Sequence, residues 1–283
     1  MQFQTVPSSS IVVQVTALLI FFGVPLILAI WWKIRKKEPI LSILSGAAIF
    51  FLFALILEKP IQTLVIVPDN ALSRFIKATP LLYALVLGLF PGIFEETGRL
   101  VAFRFLLGKQ KNRETAISYG LGHGGIEVIL IAGMTYVNNL IYTVMINTGT
   151  FGSVVEQVKQ VAPDQVETFM NLPEGIAALS FGTLALSVFE RVVAMIFHIG
   201  CSILVFYACR DKKRFWLYPL AILLHTIMDG VIGLYSVGIW KTSVEGLEAA
   251  FALIAIPVFL GAYFLLYAKD RTPEPVEEDT EAE

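Results

Sequence analysis

Three histidines, His123, His198 and His225, are the only ones in the chain, and each falls inside an apolar stretch long enough to be buried in a membrane. Each has a polar or charged residue four positions on: Glu127 after His123, Ser202 after His198, Asp229 after His225. A fourth apolar stretch, LFPGIFEETGRLVAF, carries Glu95, Glu96 and Arg99. Residues four apart share a helix face, so the second of each pair can orient the first. Imidazoles beside carboxylates suit general acid–base chemistry on water. Histidines with a carboxylate also form a zinc-binding set, which would leave Glu95 or Glu96 as base. Ionisable groups are costly in hydrocarbon, so their recurrence on four stretches points to one site.

The elements that must position these groups are membrane spans. The 283 residues are 56% hydrophobic and only 16% charged, with a mean hydropathy of +0.73. Soluble domains carry roughly 25% charged residues. Apolar runs of about 18 residues or more recur, which defines an all-α, polytopic transmembrane helical bundle. Seven spans are expected, near 11–32, 40–57, 80–107, 115–147, 179–208, 215–239 and 249–267. Residues 1–267 form one transmembrane domain with a catalytic core over about 80–239. Residues 268–283 form an acidic, disordered cytoplasmic tail. The stretch IQTLVIVP after span two is too short to cross. SVVEQVKQV and DQVETFMNL, between spans four and five, read as amphipathic helices on the membrane surface or over the bundle.

Basic residues sort by side. Thirteen lie after spans one, three, five and seven, against five on the opposite side, and Arg99, Arg104 and Arg191 lie within spans. This bias puts the N-terminus outside and the C-terminus in the cytoplasm. An uncharged first ten residues lack the basic start of a signal peptide, so span one is expected to be retained. Arg104 is expected to snorkel to the inner interface. Cys201 and Cys209, eight apart on one helix and so roughly 12 Å along its axis, are too distant to bridge. No zinc-finger spacing or phosphate loop is present, and no nucleic-acid partner is expected. The partner these spans imply is the lipid bilayer.

Counted from the cytoplasmic span ends, Glu95, Glu96, His123, Glu127, His198, His225 and Asp229 lie about 8 to 14 residues deep, roughly 12–21 Å at 1.5 Å per residue. Four spans thus place carboxylates or imidazoles in one layer. Gly120, Gly122, Gly124 and Gly125 crowd span four near His123, serving either close helix packing or room for water and substrate. Glu190 and Arg191 point to different faces and read as structural.

The order of these motifs resembles a known superfamily. Glu95-Glu96-Thr97-Gly98-Arg99, then Tyr119-x-x-x-His123, then His225-x-x-x-Asp229 is similar to the type II CAAX prenyl protease and bacteriocin-processing (CPBP) superfamily of intramembrane proteases. The fuller text, EETGR, GLGHGGIE, ERVVAMIFH and LLHTIMDG, resembles its YhfC branch of membrane peptidases. The PrsW-type proteases are a related comparison, with a carboxylate where Glu127 stands and a histidine on the span of His198. The resemblance covers spans three to six. There are departures from the CAAX enzymes: two residues rather than three separate Glu96 from Arg99, Tyr119 replaces a phenylalanine, and Asp229 replaces an asparagine.

The resemblance implies hydrolysis of a peptide bond of a membrane-associated substrate, within or at a prokaryotic cell membrane. Glu96 or Glu95 would be general base on a water that His123 helps to hold. His225 would stabilise the oxyanion, oriented by Asp229, with Arg99, Glu127 and His198 in support. Whether a zinc ion takes part, on His123, His198 and His225, stays open at this point, since the YhfC family is described as metalloprotease-like and the CAAX branch reads as metal-independent. A non-catalytic membrane scaffold of the same fold and a proton-coupled transporter are the alternatives. The latter would often carry an inverted repeat, and none is visible.

Overall fold

A computed structural model describes residues 3–271, so the acidic tail from residue 272 onward lies outside the described residues. Among these residues the structure is all-helical. The helices are α1 Ser8–Lys36, α2 Ile40–Ile66, α3 Ala71–Ala78, α4 Pro80–Leu106, α5 Glu114–Asn147, α6 Phe151–Val161, α7 Val166–Ala177, α8 Phe181–Arg210, α9 Lys212–Ser236 and α10 Val244–Tyr267. Seven of them (α1, α2, α4, α5, α8, α9 and α10) are long and apolar enough to cross a membrane.

Two features depart from expectation. IQTLVIV is no separate segment but the last turns of α2. A π-helical stretch, Phe51–Glu58, carries the helix past the point where the apolar run stops and on through Pro60 to Ile66. The short helix α3 was not foreseen. It starts at a capping box in which Asn70 Oδ1 accepts from the Ser73 amide (3.0 Å) and Ser73 Oγ accepts from the Asn70 amide (3.2 Å).

The chain forms two compact units. Of the described residues, the first comprises 3–27 and 127–191. The two amphipathic helices α6 and α7 belong here, and their apolar faces are buried: Phe151, Val155 and Ile176 cluster with Val6 and Ile146. Polar pins complete the unit. Asn147 Oδ1 accepts from the Val6 amide (2.8 Å), Ser10 Oγ donates to the Ala177 carbonyl (2.6 Å), and Thr143 Oγ1 donates to Gln14 Oε1 (3.1 Å).

Of the described residues, the second unit comprises 28–126 and 192–271. Its central helix is the C-terminal part of α8, where Ile203, Leu204, Val205, Phe206, Tyr207 and Ala208 are all buried. A helix apolar all round belongs inside its neighbours. Cys201 and Cys209 on it are free thiols. Two close approaches set the helices around it. A Cβ on Gly88 of α4 would sit 2.3 Å from the Thr226 carbonyl of α9, and one on Gly122 of α5 would sit 1.9 Å from the Ile43 carbonyl of α2. Only glycine lets these backbones meet. Gly120 faces Ile199 of α8 in the same way, at 2.8 Å, and Gly124 sits less tightly against Met195, at 3.3 Å. Of the two expectations for these glycines, close packing is the one the structure shows for Gly120, Gly122 and Gly124.

Candidate active site

The site is built on four helices of the second unit, and small residues fix its register. The buried stripe of α4 runs Ala84, Gly88, Pro91, Gly92, Glu95, Glu96, Arg99, with a spacing of three to four residues. Its first half is small and lies against α9 antiparallel: Ala84 meets Gly233, Gly88 meets Gly230 and Thr226, and Gly92 meets Thr226 and Ile222. One turn further along α4, this register brings the two glutamates opposite His225. On α5, Gly122 and Gly124 seat the helix against α2 and α8, which brings His123 beside His198. The His123 and His198 rings lie 5.0 Å apart between centroids, and the His198 and His225 rings 5.5 Å.

Glu95 Oε2 is the hub. It lies 2.9 Å from His123 Nε2 and 3.9 Å from each of His198 Nδ1, His225 Nε2 and Arg99 Nη2. Glu96 makes a second, tighter set. Its Oε1 accepts from Arg99 Nη1 and from His225 Nδ1, the latter at 2.7 Å. Asp229 Oδ2 lies 3.4 Å from the other His225 nitrogen, Nε2. Arg99 Nη2 is 2.6 Å from His198 Nδ1. A guanidinium has no acceptor, so that histidine nitrogen must be the acceptor. Glu96, Arg99 and His123 are fully buried, and Glu95, His198 and His225 nearly so. Asp229 is partly open, with 29% of its side chain exposed. Phe50 and Phe197 pack edge-on against His123 and His225, with centroids 5.1 and 5.3 Å apart, and wall the site in apolar surface.

Several buried polar atoms in this cluster have no hydrogen-bond partner among the described residues: Glu96 Oε2, Arg99 Nε, His123 Nδ1 and the Tyr119 hydroxyl. Such orphans are rare in folded proteins, and each costs about 1–3 kcal/mol unless water or a ligand satisfies it.

The donor chemistry fits a divalent ion. Glu95, His123 and His198 each offer one ligand atom, all within 4.8 Å of one another and all buried. Three N/O ligands and an open position are what a catalytic zinc takes. Glu95 and Glu96 share one guanidinium, and Asp229 lies against His225, so carboxylates outnumber the one guanidinium, an excess of negative charge that a divalent cation would offset. His225, expected from sequence as the third imidazole of a metal set, lies outside this compact group and is held by Glu96 and Asp229. Arg99 occupies the His198 Nδ1 lone pair, so an ion at that nitrogen would displace this hydrogen bond.

The remaining expected residues have other company. Glu127 pairs with Arg191 at 3.1 Å, and Arg191 also pairs with Glu190, in the first unit. Ser202 Oγ donates to the carbonyl of His198 on its own helix, at 2.6 Å. One residue escaped the sequence reading. Glu58, at the end of the π-helical stretch of α2, is buried, pairs with Lys59 (3.0 Å), and lies near enough to Asp229 and His225 for their charges to act on it. Its signal was present: Glu58 is the first charge after a long apolar run, but it falls one residue beyond the expected end of span two at Leu57.

Comparison with known proteins bears on this site. Residues 19–250 match the family described as YhfC intramembrane metalloprotease. A protein of Bacillus subtilis (strain 168), described as the uncharacterized membrane protein YhfC, is 30% identical over 250 residues, which cover 88% of this chain and 93% of that relative. No solved structure matches the chain.

Proposed function

The chain belongs to the YhfC family, and on that premise we propose that it is an intramembrane peptidase hydrolysing a peptide bond of a membrane-associated substrate. The observation that carries this reading is the asymmetry of the Glu96 carboxylate. Oε1 is held by Arg99 and His225, while Oε2 is buried with no partner among the described residues. One oxygen is held and the other is left without a partner among the described residues, so it can accept from a water as a general base must.

The residues then take defined roles. Glu96 Oε2 accepts a proton from water as the water oxygen bonds to the scissile carbonyl carbon. Both nitrogens of His225 meet carboxylate oxygens, and only the doubly protonated ring donates to both. Its Nε2–H is the donor for the oxyanion that forms as the carbonyl bond opens. Preorganised donors of this kind act most strongly where water is scarce. The proton held by Glu96 passes to the departing nitrogen as the C–N bond breaks, leaving a carboxylate and an amine. Arg99 supplies the counter-charge that lets two glutamates share the interior, and Asp229 orients His225. Glu95, His123 and His198 would hold a divalent ion such as zinc. When bound, such an ion polarises the carbonyl and makes its water more acidic.

The order of the motifs supports a place in the CPBP superfamily. The sorting of basic residues supports an N-terminus outside and a C-terminus in the cytoplasm of a prokaryotic cell.

The test is Glu96→Gln in purified, reconstituted protein presented with membrane-spanning peptides. The amide keeps size and hydrogen bonding and is cheaper to bury than a carboxylate. Cleavage should fall by on the order of 10²–10⁴ while the protein stays folded and inserted. A scaffold would tolerate the change, and a transporter would lose substrate coupling with no cleavage phenotype. Wild-type cleavage by the Glu95→Gln/Glu96→Gln double variant would end the assignment of this pair.

A further inference from the structure

Far from the histidines, at the end of the second unit where basic loops gather, a cavity of about 340 Å³ opens between α4, α8 and α9. It is lined by Arg104, Ala208, Cys209, Lys212 and Phe215. Its size falls in the range of about 300–1,000 Å³ typical of small-molecule sites. Two of its five lining residues are cationic. Among the described residues neither Arg104 nor Lys212 has a carboxylate partner, whereas Arg99, Arg113, Arg191 and Arg210 all do. The rest of the lining is apolar: Ala208, Cys209 and Phe215.

The span ends that carry these lining residues supply the second observation. Phe105 and Leu106 beside Arg104, and Trp216 beside Phe215, are 74%, 54% and 60% exposed. On a chain with seven candidate spans, large apolar side chains at span ends face acyl chains, and tryptophan marks the headgroup level. Arg104 lies in the π-helical last turn of α4, Ala102–Leu106. A long basic side chain near a span end extends towards the headgroups. The cavity therefore sets two cations that have no carboxylate partner among the described residues at span ends that also carry large exposed apolar side chains.

We propose that this cavity binds the phosphate headgroup of an anionic phospholipid, with Arg104 and Lys212 on the phosphate and the acyl chains against Phe105, Leu106 and Trp216. Basic pockets between spans on the cytoplasmic side are suited to such headgroups. A free phosphate shares the charge chemistry but has no use for the exposed apolar side chains, so the lipid is the occupant the whole surface fits.

Full-length protein in a neutral detergent would be titrated with phosphatidylglycerol and with phosphatidylcholine of the same acyl chains, and retained lipid counted by native mass spectrometry. Wild type should retain phosphatidylglycerol preferentially. Arg104→Gln/Lys212→Gln should weaken that binding about 30-fold, two cations each contributing the usual amount near a membrane surface. Arg104→Lys/Lys212→Arg should keep the preference. Lys109→Gln/Lys111→Gln, which removes two basic residues that do not line the cavity, should keep it too. Both altered positions in the glutamine pair are exposed, and an unchanged melting temperature verifies that the fold persists. Equal retention of the two lipids, an unaffected glutamine variant, or displacement of phosphatidylglycerol by millimolar inorganic phosphate would each overturn the proposal.

Discussion

Two networks in the second unit bury carboxylates, and they are built on opposite principles. Glu38, in the turn between α1 and α2, is surrounded by neutral donors. Asn112 Nδ2 donates to one oxygen at 2.6 Å, and Thr115, Ser118 and Ser42 hydroxyls reach the other at 3.3, 3.3 and 3.5 Å. Both oxygens are filled. Glu95 and Glu96 are surrounded instead by imidazoles and a guanidinium, and the cluster keeps four unsatisfied atoms. A fully satisfied polar network rigidifies and specifies a fold. A charged one with unused acceptors tolerates a standing cost, and sites that do chemistry are where such costs are retained. The same residue type thus serves as a staple in one place and, on the proposed function, as a reactive group in the other. The number of unused hydrogen-bonding positions separates the two.

The strongest way to break this contrast is to remove the counter-ion. Arg99→Gln takes away the one guanidinium and leaves two buried carboxylates with only the His225 imidazolium as counter-charge. Removing one partner of a buried ion pair costs about 3–5 kcal/mol. The variant should unfold correspondingly earlier in a denaturant titration in detergent. Adding Glu96→Gln should restore part of the loss, because the two changes act on one pair and are not additive. Wild-type stability for Arg99→Gln alone would mean that the cluster is not charged as drawn.

Metal retention sharpens the contrast within the site itself. If a zinc ion is held, His123→Ala and His198→Ala should each lose it from the purified protein, since three-ligand sites rarely survive the loss of one. His225→Ala should lose activity while keeping metal, because His225 is held by Glu96 and Asp229 rather than by the donor group. Elemental analysis of the three variants decides this. Metal loss from His225→Ala with retention in His198→Ala would invert the assignment. A wild type free of zinc and fully active after chelation would leave Glu96 and water to act alone.

Much of this arrangement was legible because a helix converts sequence into depth linearly. Counting from basic span ends put Glu95, Glu96, His123, His198, His225 and Asp229 in one layer, and the structure brings all six together with Arg99. What the count could not give was which atom meets which. Arg99 reaches His198 across 99 positions of sequence, and nothing local to either residue announces the contact. Depth also cannot divide imidazoles between roles, so His225 grouped with the other two. Glu58 was lost for a different reason: hydropathy marks where an apolar run stops, and a helix need not stop there. The Glu38 network was invisible because KIRKKEP reads as a basic loop, and only the approach of Asn112, Thr115 and Ser118 turns its one acid inward.

Thr115, Ser118 and Gly122 lie on one stripe of α5, so this helix serves both networks: its first turns hold Glu38 and its next turn carries His123. Gly122→Ala should therefore disturb the site while leaving the staple's chemistry intact. The new Cβ would strike the Ile43 backbone, with the carbonyl at 1.9 Å, and backbone cannot rotate away. Overpacking of this kind costs about 1–3 kcal/mol. Gly175 in α7 is the control. Nothing lies within 4 Å of its Cβ position, so Gly175→Ala should be neutral or stabilise by up to about 1 kcal/mol through helix propensity. Equal melting temperatures for the two variants would show that α2 and α5 are not in register at Ile43.

The smallest expected effect tests the staple by its pH dependence. Burial pushes the Glu38 carboxyl above the usual value near 4.5, and the nearby Glu114 adds to the rise, while hydrogen bonds from Thr115, Ser118 and Asn112 oppose it. A raised pKa means that the folded protein binds the proton more tightly than the unfolded chain does. The stability this contributes is fully present below about pH 4.5 and is lost as pH rises through the higher folded value. Glu38→Gln cannot titrate and serves as the baseline. The melting temperature of wild type relative to Glu38→Gln should therefore improve as pH falls from neutral towards 4.5. A carboxylate held by a cation would show the opposite slope, losing its contribution on acidification. A difference that is flat or falls with acidification would show that Glu38 is held as an ion, and the distinction between a neutral staple and a charged site would fail at its simpler end.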